Sequence, residues 1–170
     1  MNKSNLAKSI RFYNDAVDCE KVGNLKSAGE LYFKAIKINS TFFQAHYNLA
    51  NVKKKVDELD EAIIHYKKSI ELKSDFINAY NNLGGVLKDL GRIKEAEQNF
   101  KKVFELNPNF KEAKVNLGII FELNKLISIV KPLKKNKNDL NFISNVNTFK
   151  TNRDVEPELI NELYNIRTEE

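Results

Sequence analysis

Apolar side chains recur along the chain at steps of three and four residues, the spacing that places them on one face of an α-helix. From Ala79 to Leu90 this pattern predicts one amphipathic helix, and from Ile93 to Phe104 it predicts a second. Gly91 interrupts the pattern between them, and a glycine there can adopt the left-handed conformation that ends a helix. The apolar pattern is also interrupted at residues 22–25, which contain Gly23, and at residues 56–59. The sequence therefore predicts three helix-turn-helix hairpins.

The hairpins repeat with a period of 34 residues, in segments that begin at Ser9, Phe43, Ile77 and Lys111. Small residues occupy two places where the helices of a hairpin would cross, which allows the helix axes to approach within about 8–10 Å. The shared residues are Ala16, Ala50, Gly84 and Gly118 in the eighth place, Ala28, Ala62 and Ala96 in the twentieth, and Tyr32, Tyr66 and Phe100 in the twenty-fourth. We predict full repeats at 9–42, 43–76 and 77–110 and a partial repeat at 111–133.

This unit resembles the tetratricopeptide repeat in its length, its Asn-Leu-Ala or Asn-Leu-Gly tripeptide, its central alanine and the Asn-Pro-Asn of residues 107–109. The resemblance implies an all-α fold, a right-handed superhelix (α-solenoid) of antiparallel helix pairs. It also implies a concave groove that is lined mainly by the first helix of each pair and binds protein segments. One departure is His46, which stands where the first and third repeats have Phe12 and Tyr80.

The C-terminal part of the chain departs from the repeat. After a sound first helix, we predict a turn at 123–126 and a short second helix with Pro132 in its first turn, so that the array extends over 9–130. Residues 134–155 are polar and weakly patterned, which indicates a linker or loop. Residues 156–170 predict a helix with Pro157 just inside its start. This helix either caps the open end of the array or begins a further domain.

An asparagine occupies the sixth place of every repeat, as Asn14, Asn48, Asn82 and Asn116. Because the chain contains 23 asparagines in 170 residues, composition explains this series only in part. The resemblance implies two roles, and both remain open. The asparagines can brace neighbouring helices, or they can line the groove and hold the backbone of an extended peptide, as in the repeat domain of O-linked N-acetylglucosamine transferases. An amide suits the second role because it both donates and accepts hydrogen bonds.

Other places of the first helices add to the predicted peptide-binding groove. Asn81 is expected to point more fully into the groove than Asn82 does. The further groove residues are Tyr13, Tyr47, Asn51, Asn78 and Asn81. Relatives that clamp the C-terminal carboxylate of heat-shock chaperones need lysine or arginine at such places, and this chain has none there. We therefore expect no binding of chaperone tails.

Charge and composition exclude several classes of function. The 28 basic and 23 acidic residues nearly balance, to a net charge of +5, and no segment is strongly basic, so a nucleic-acid partner is not expected. No apolar run reaches the roughly 18 residues that would span a membrane, and the first residues lack an apolar leader. The single cysteine, Cys19, cannot form an internal disulfide, which favours a reducing, cytoplasmic location.

Catalytic and metal-binding chemistry is not expected. His46 and His65 have no cysteine, histidine or carboxylate neighbours at ligand spacing, so they are interpreted as packed or surface residues, and no metal or cofactor is predicted. No phosphate-binding loop or nucleophile motif occurs.

The sequence thus predicts a non-catalytic scaffold that binds a protein or peptide partner. The alternative is that the chain is the N-terminal module of a larger enzyme, glycosyltransferase-like, sulfotransferase-like or hydroxylase-like, whose catalytic domain lies beyond Glu170. A third possibility is self-association through the C-terminal helix.

Overall fold

A computed structural model describes residues 2–133 of the chain, and these residues form helices joined by turns and short links. The helices are α1 (Lys3–Lys21), α2 (Leu25–Ile38), α3 (Phe43–Lys55), α4 (Leu59–Leu72), α5 (Ile77–Asp89), α6 (Ile93–Leu106) and α7 (Lys111–Leu133). The chain divides into two compact units, one reaching Phe121 and one beginning at Glu122. The predicted linker and C-terminal helix lie outside the described residues.

Three tight turns pair the helices as α1–α2, α3–α4 and α5–α6. Each turn contains one residue with positive φ, namely Gly23 (78°), Asp57 (64°) and Gly91 (72°). Glycine adopts this left-handed conformation without the steric cost of a side chain, and aspartate is among the residues that tolerate it. Each turn leaves only three residues between its two helices, so the helices of a hairpin run antiparallel. The helices α2 and α4 also pack on α3 and α5, which stacks the hairpins in chain order.

The core lies where the repeat pattern places small and aromatic residues. The alanines of the eighth and twentieth places are completely buried in the described hairpins, and so are the three aromatic side chains of the twenty-fourth place: Ala16, Ala28, Ala50, Ala62, Ala96, Tyr32, Tyr66 and Phe100. In the third hairpin, a Cβ atom added to Gly84 would lie 2.8 Å from the Phe100 ring. The all-α helical-repeat solenoid predicted from the sequence is confirmed.

The prediction of a turn at 123–126 was wrong, because α7 continues as one helix of 23 residues from Lys111 to Leu133. The physical reason lies in the local sequence. Unlike the turns at Gly23 and Gly91, this segment contains no glycine, and apolar residues recur at helical spacing on both sides of it. Pro132 accordingly lies in the last turn of α7 rather than in the first turn of another helix.

Candidate functional site

A hydrogen-bond network joins the first and second repeats, and we name it the first junction. The Nδ2 atom of Asn48 on α3 donates to the hydroxyl oxygens of Tyr13 on α1, at 3.0 Å, and of Tyr32 on α2, at 3.2 Å. The Tyr32 hydroxyl in turn donates to Oε2 of Glu20 at 3.0 Å. The Nζ atom of Lys55 closes the network on Oε1 of the same carboxylate at 2.6 Å. The first junction therefore connects three helices through one amide group.

The first junction borders an open hollow of about 280 Å³, which is lined by Val17, Glu20, Lys21, Tyr32, Asn48 and Lys55. Burial raises the pKa of Tyr32 above its usual range, and the hydrogen bond to the Glu20 carboxylate raises it further. The Tyr32 hydroxyl consequently stays protonated and remains a donor at neutral pH.

A second network of the same kind joins the second and third repeats, and we name it the second junction. The Nδ2 atom of Asn82 on α5 donates to the Tyr47 hydroxyl at 3.1 Å and to Oδ1 of Asn51 at 3.0 Å. The Tyr66 hydroxyl donates to the same Asn51 oxygen at 2.6 Å. Burial also raises the pKa of Tyr66. The second junction contains no charged group among these four residues.

Aromatic packing fixes the tyrosines of both junctions in equivalent positions. The ring centroid of Tyr13 lies 4.9 Å from that of Phe42, in the link before α3. The ring centroid of Tyr47 lies 4.8 Å from that of Phe76, in the link before α5. Such pairs contribute roughly 0.5–1.5 kcal/mol beyond the area they bury. The hydroxyl groups thus meet Asn48 and Asn82 at nearly equal distances, 3.0 and 3.1 Å.

The corresponding place between the third and fourth repeats, the third junction, lacks these groups. Asn81 and Phe100 replace the two tyrosines, and Gly85 replaces the acceptor Asn51. Within the described part of the chain, Oδ1 of Asn81 is a buried side-chain oxygen without a hydrogen-bond partner. Asn116 is half-buried and meets no tyrosine of the preceding repeat at the equivalent position.

The structure thus brings together five of the predicted groove residues at the two junctions: Tyr13, Tyr47, Asn48, Asn51 and Asn82. It does not bring Asn14 or Asn78 to them, and both are exposed. Residues 1–8, which precede the first repeat, contain no tyrosine for Asn14 to contact. Asn81 was expected to project into the groove, but the residue is half-buried and its side-chain oxygen is buried.

The contacts of Asn48 and Asn82 restrict the chemistry that remains for a ligand. A carboxamide has two N–H donors, and both are used within the protein at each junction. Among residues 2–133, no partner engages the Oδ1 atom of either asparagine, and none accepts from the hydroxyl groups of Tyr13 and Tyr47. Each junction therefore connects two repeats. In each, the asparagine Oδ1 atom remains a free acceptor and the neighbouring tyrosine hydroxyl remains a free donor.

Sequence reasoning missed four residues of the junctions: Glu20, Tyr32, Lys55 and Tyr66. One signal could have indicated two of them. The aromatic residue of the twenty-fourth place carries a hydroxyl in the first two repeats and none in the third. This difference matches the presence of the first two junctions and the absence of equivalent bonds at the third.

Two negative findings apply to the described residues alone. No helix within 2–133 has the length and apolar character needed to cross a membrane. In the same range, no group of three or more histidine, cysteine, aspartate or glutamate side chains is arranged to hold a metal ion.

Comparison with known families gives two matches to this chain. A family model described as the tetratricopeptide repeat matches residues 77–110, and one described as the TPR repeat matches residues 57–91. None of the curated proteins compared with the chain matches it.

Solved structures similar to the chain include two domains that carry bound peptides. The first TPR domain of Spaghetti (RPAP3), bound to the HSP90 peptide SRMEEVD, has a TM-score of 0.68 at 21% identity, with 70% of this chain and 94% of that chain covered. The second TPR domain of human RPAP3, in complex with the HSP70 peptide SGPTIEEVD, has a TM-score of 0.64 at 25% identity, with 67% and 95% covered. MamA has a TM-score of 0.67 at 25% identity, with 75% of each chain covered.

Proposed function

Because the chain is a tetratricopeptide repeat protein, we propose that it is a non-catalytic scaffold that binds an extended protein segment along the first and second junctions. The similarity to peptide-bound TPR domains supports a protein or peptide partner. In this proposal the groove recognises the backbone of the segment, and the contacts come from repeating polar groups.

The observation that carries the proposal is the pairing of one free acceptor and one free donor at each junction. The Oδ1 atom of Asn48 lies on the same side chain whose Nδ2 contacts the Tyr13 hydroxyl, and the same holds for Asn82 and Tyr47. In an extended segment the N–H and the C=O of one residue point to the same side, so that residue can donate to the asparagine oxygen and accept from the tyrosine hydroxyl. Backbone groups are common to all peptides, so this contact requires no particular side chain.

The charge around the junctions favours a neutral segment over an acidic one. The two lysines that line the hollow at the first junction are both paired, Lys55 with Glu20 and Lys21 with Asp18. An acidic peptide would have to displace these carboxylates before either ammonium group could contact it. The peptides named with the two RPAP3 domains both end in Glu-Glu-Val-Asp. We therefore infer that this groove selects a neutral extended segment in preference to such tails.

The test uses the full chain as bait against a random peptide library displayed on phage, followed by calorimetry on the selected peptides. Replacing one peptide N–H at a time by N–CH₃ should weaken binding about tenfold at the residues that contact Asn48 and Asn82, since each loses one hydrogen bond of roughly 1–1.5 kcal/mol. Alanine replacement of the side chains at those residues should change affinity less than threefold.

Two controls separate the groove from other surfaces. Asn14→Ala alters an exposed asparagine of the same series and should leave affinity unchanged. The peptide SRMEEVD should bind at least tenfold more weakly than the selected neutral peptides. If alanine replacement weakens binding and N-methylation does not, the proposed contact with the peptide backbone is wrong.

A further inference from the structure

The second repeat contains a pair of histidines that join its two helices and take no part in the hydrogen bonds of the junctions. The Nδ1 atom of His46 on α3 lies 3.1 Å from Nδ1 of His65 on α4. The ring centroids are 5.3 Å apart, which is close to the nitrogen-to-nitrogen distance plus the two ring radii, so the nitrogens face each other directly. His46 is only 6% exposed. A metal ion between the rings would need both of them to rotate, because the lone pairs point along one line instead of converging.

The contacts of the pair determine where its protons lie. The Nε2 atom of His46 is 3.2 Å from the carbonyl oxygen of Ser40, which can only accept, so Nε2 carries the hydrogen. In the neutral ring, Nδ1 of His46 is then an acceptor. The facing nitrogen must donate, and His65 therefore carries its hydrogen on Nδ1 and leaves its own Nε2 free.

The first and the second proton added to the pair have different effects on the hydrogen bond between His46 and His65. A first proton can bind Nε2 of His65 without disturbing the bond, because Nδ1–H of that ring still donates to His46. A second proton must bind Nδ1 of His46, and both facing nitrogens then carry hydrogens and positive charge. The bond is lost at that point, since two donors cannot pair.

We propose that His46 and His65 form a proton-sensitive latch between α3 and α4. The latch is closed while the two neutral rings have gained at most one proton, and it is open when both rings have gained one. Opening alters the position of α3 directly beside the groove, because Tyr47 and Asn48 immediately follow His46 in the sequence. The latch thus links acidification to the residues that build both junctions. This inference does not depend on the proposed peptide ligand.

The surroundings of the pair favour the closed, neutral form near neutral pH. Burial lowers the pKa of His46, and it lowers the pKa of His65 to about 4, with the neighbouring ring of His46 as the next cause. Charged groups act on the pair from both helices, in part cancelling one another: Lys53 from α3, and Glu61, Lys68 and Glu71 from α4. The link before α3 contributes the uncharged carbonyl of Ser40.

The other repeats provide a matched control, because they fill the same two places without histidine. The first repeat has Phe12 and Leu31 there, and the third has Tyr80 and Asn99. The double variant His46→Phe/His65→Leu therefore installs the pair of the first repeat into the second. It should fold, and it cannot titrate at this position.

Nitrogen-15 NMR of the full chain at pH 7.5 tests the latch directly. We expect the Nε2–H tautomer for His46 and the Nδ1–H tautomer for His65. An Nε2–H tautomer at both rings would overturn the proposal, because the facing nitrogens would then both be acceptors.

Acid titration tests the opening and its transmission. Between pH 7.5 and 3, a range that extends below the His65 pKa of about 4, the thermal midpoint of the wild type should fall at least about 3 °C further than that of the double variant. The side-chain amide signals of Asn48 should shift with the same midpoint as the His46 ring, whose protonation opens the latch, while those of Asn14 stay constant. Equal losses of midpoint in the two proteins would refute the latch, and a constant Asn48 signal would refute its link to the groove.

Discussion

The first two junctions and the third junction occupy equivalent places in the repeat, yet they differ in every polar contact. At the first two, an asparagine donates both of its N–H groups across the repeat boundary, to tyrosine hydroxyls or to Asn51. At the third, the equivalent places of the preceding repeat hold Asn81, Gly85 and Phe100. Recurrence of the asparagine alone therefore does not build a junction. The network needs the tyrosines of the preceding repeat as acceptors.

The first and second junctions also differ from each other, in the acceptor that the buried tyrosine uses. Tyr66 donates to Asn51 in the ninth place of its repeat. Tyr32 has Val17 in that place, which cannot accept, and donates instead to Glu20 one turn further along α1. The donor is constant and the acceptor varies, so one junction is charged and the other is neutral. The same architecture can thus differ in its response to salt.

The largest effect is expected from Gly84→Ala in the third repeat. The added Cβ would lie 2.8 Å from the Phe100 ring, so the substitution should lower the free energy of unfolding by about 3 kcal/mol. Gly85→Ala is the matched control, because an added Cβ meets no atom within 4 Å there, and it should raise stability by roughly 0.5–1 kcal/mol. Urea unfolding measures both. Equal effects of the two substitutions would contradict the close contact.

Asn82→Ala should destabilise the protein by about 2 kcal/mol, because it removes two hydrogen bonds of roughly 1 kcal/mol each from the second junction. Asn116→Ala is expected to change stability by less than about 0.5 kcal/mol, since the third junction supplies no tyrosine acceptor. Both values come from urea unfolding monitored by circular dichroism. Equal costs at the two sites would show that tyrosine acceptors do not distinguish the junctions.

Asn81→Tyr should supply the third junction with the tyrosine that it lacks. We expect it to stabilise the protein by about 1 kcal/mol, because Asn116 gains an acceptor and a buried unpaired oxygen is removed. A double-mutant cycle with Asn116→Ala should give a coupling energy of about 1 kcal/mol. Additive effects in this cycle would mean that the tyrosine stabilises by packing alone.

Glu20→Gln should have the smallest effect, about 0.5 kcal/mol, because the ion pair with Lys55 is partly exposed. Its cost should disappear at about 1 M salt, where charges are screened within roughly 3 Å. Tyr66→Phe changes the neutral second junction and should cost the same at low and high salt. A salt-dependent cost for Tyr66→Phe would contradict the difference between the two junctions.

The sequence by itself determined the helices and the order in which they pair. Helical periodicity and the 34-residue spacing depend on local backbone geometry and on which face of a helix is apolar, so both can be read from neighbouring residues. The buried alanines, the left-handed glycines of two turns and the shared phase of Asn48 and Asn82 follow from the same information. The turn predicted at 123–126 was wrong because only a break in periodicity, and no helix-ending residue, suggested it.

Tertiary structure alone decided which partners the groove residues use. The bonds of Asn48 and Asn82 reach side chains that lie 35 residues earlier, and whether they form depends on the residues at several places of the preceding repeat. The same holds for the burial of the Asn81 oxygen and for the direct contact of His46 with His65. A repeating sequence places these side chains on a common face, but hydrogen-bond geometry requires distances within a few tenths of an ångström, and packing between repeats sets those distances.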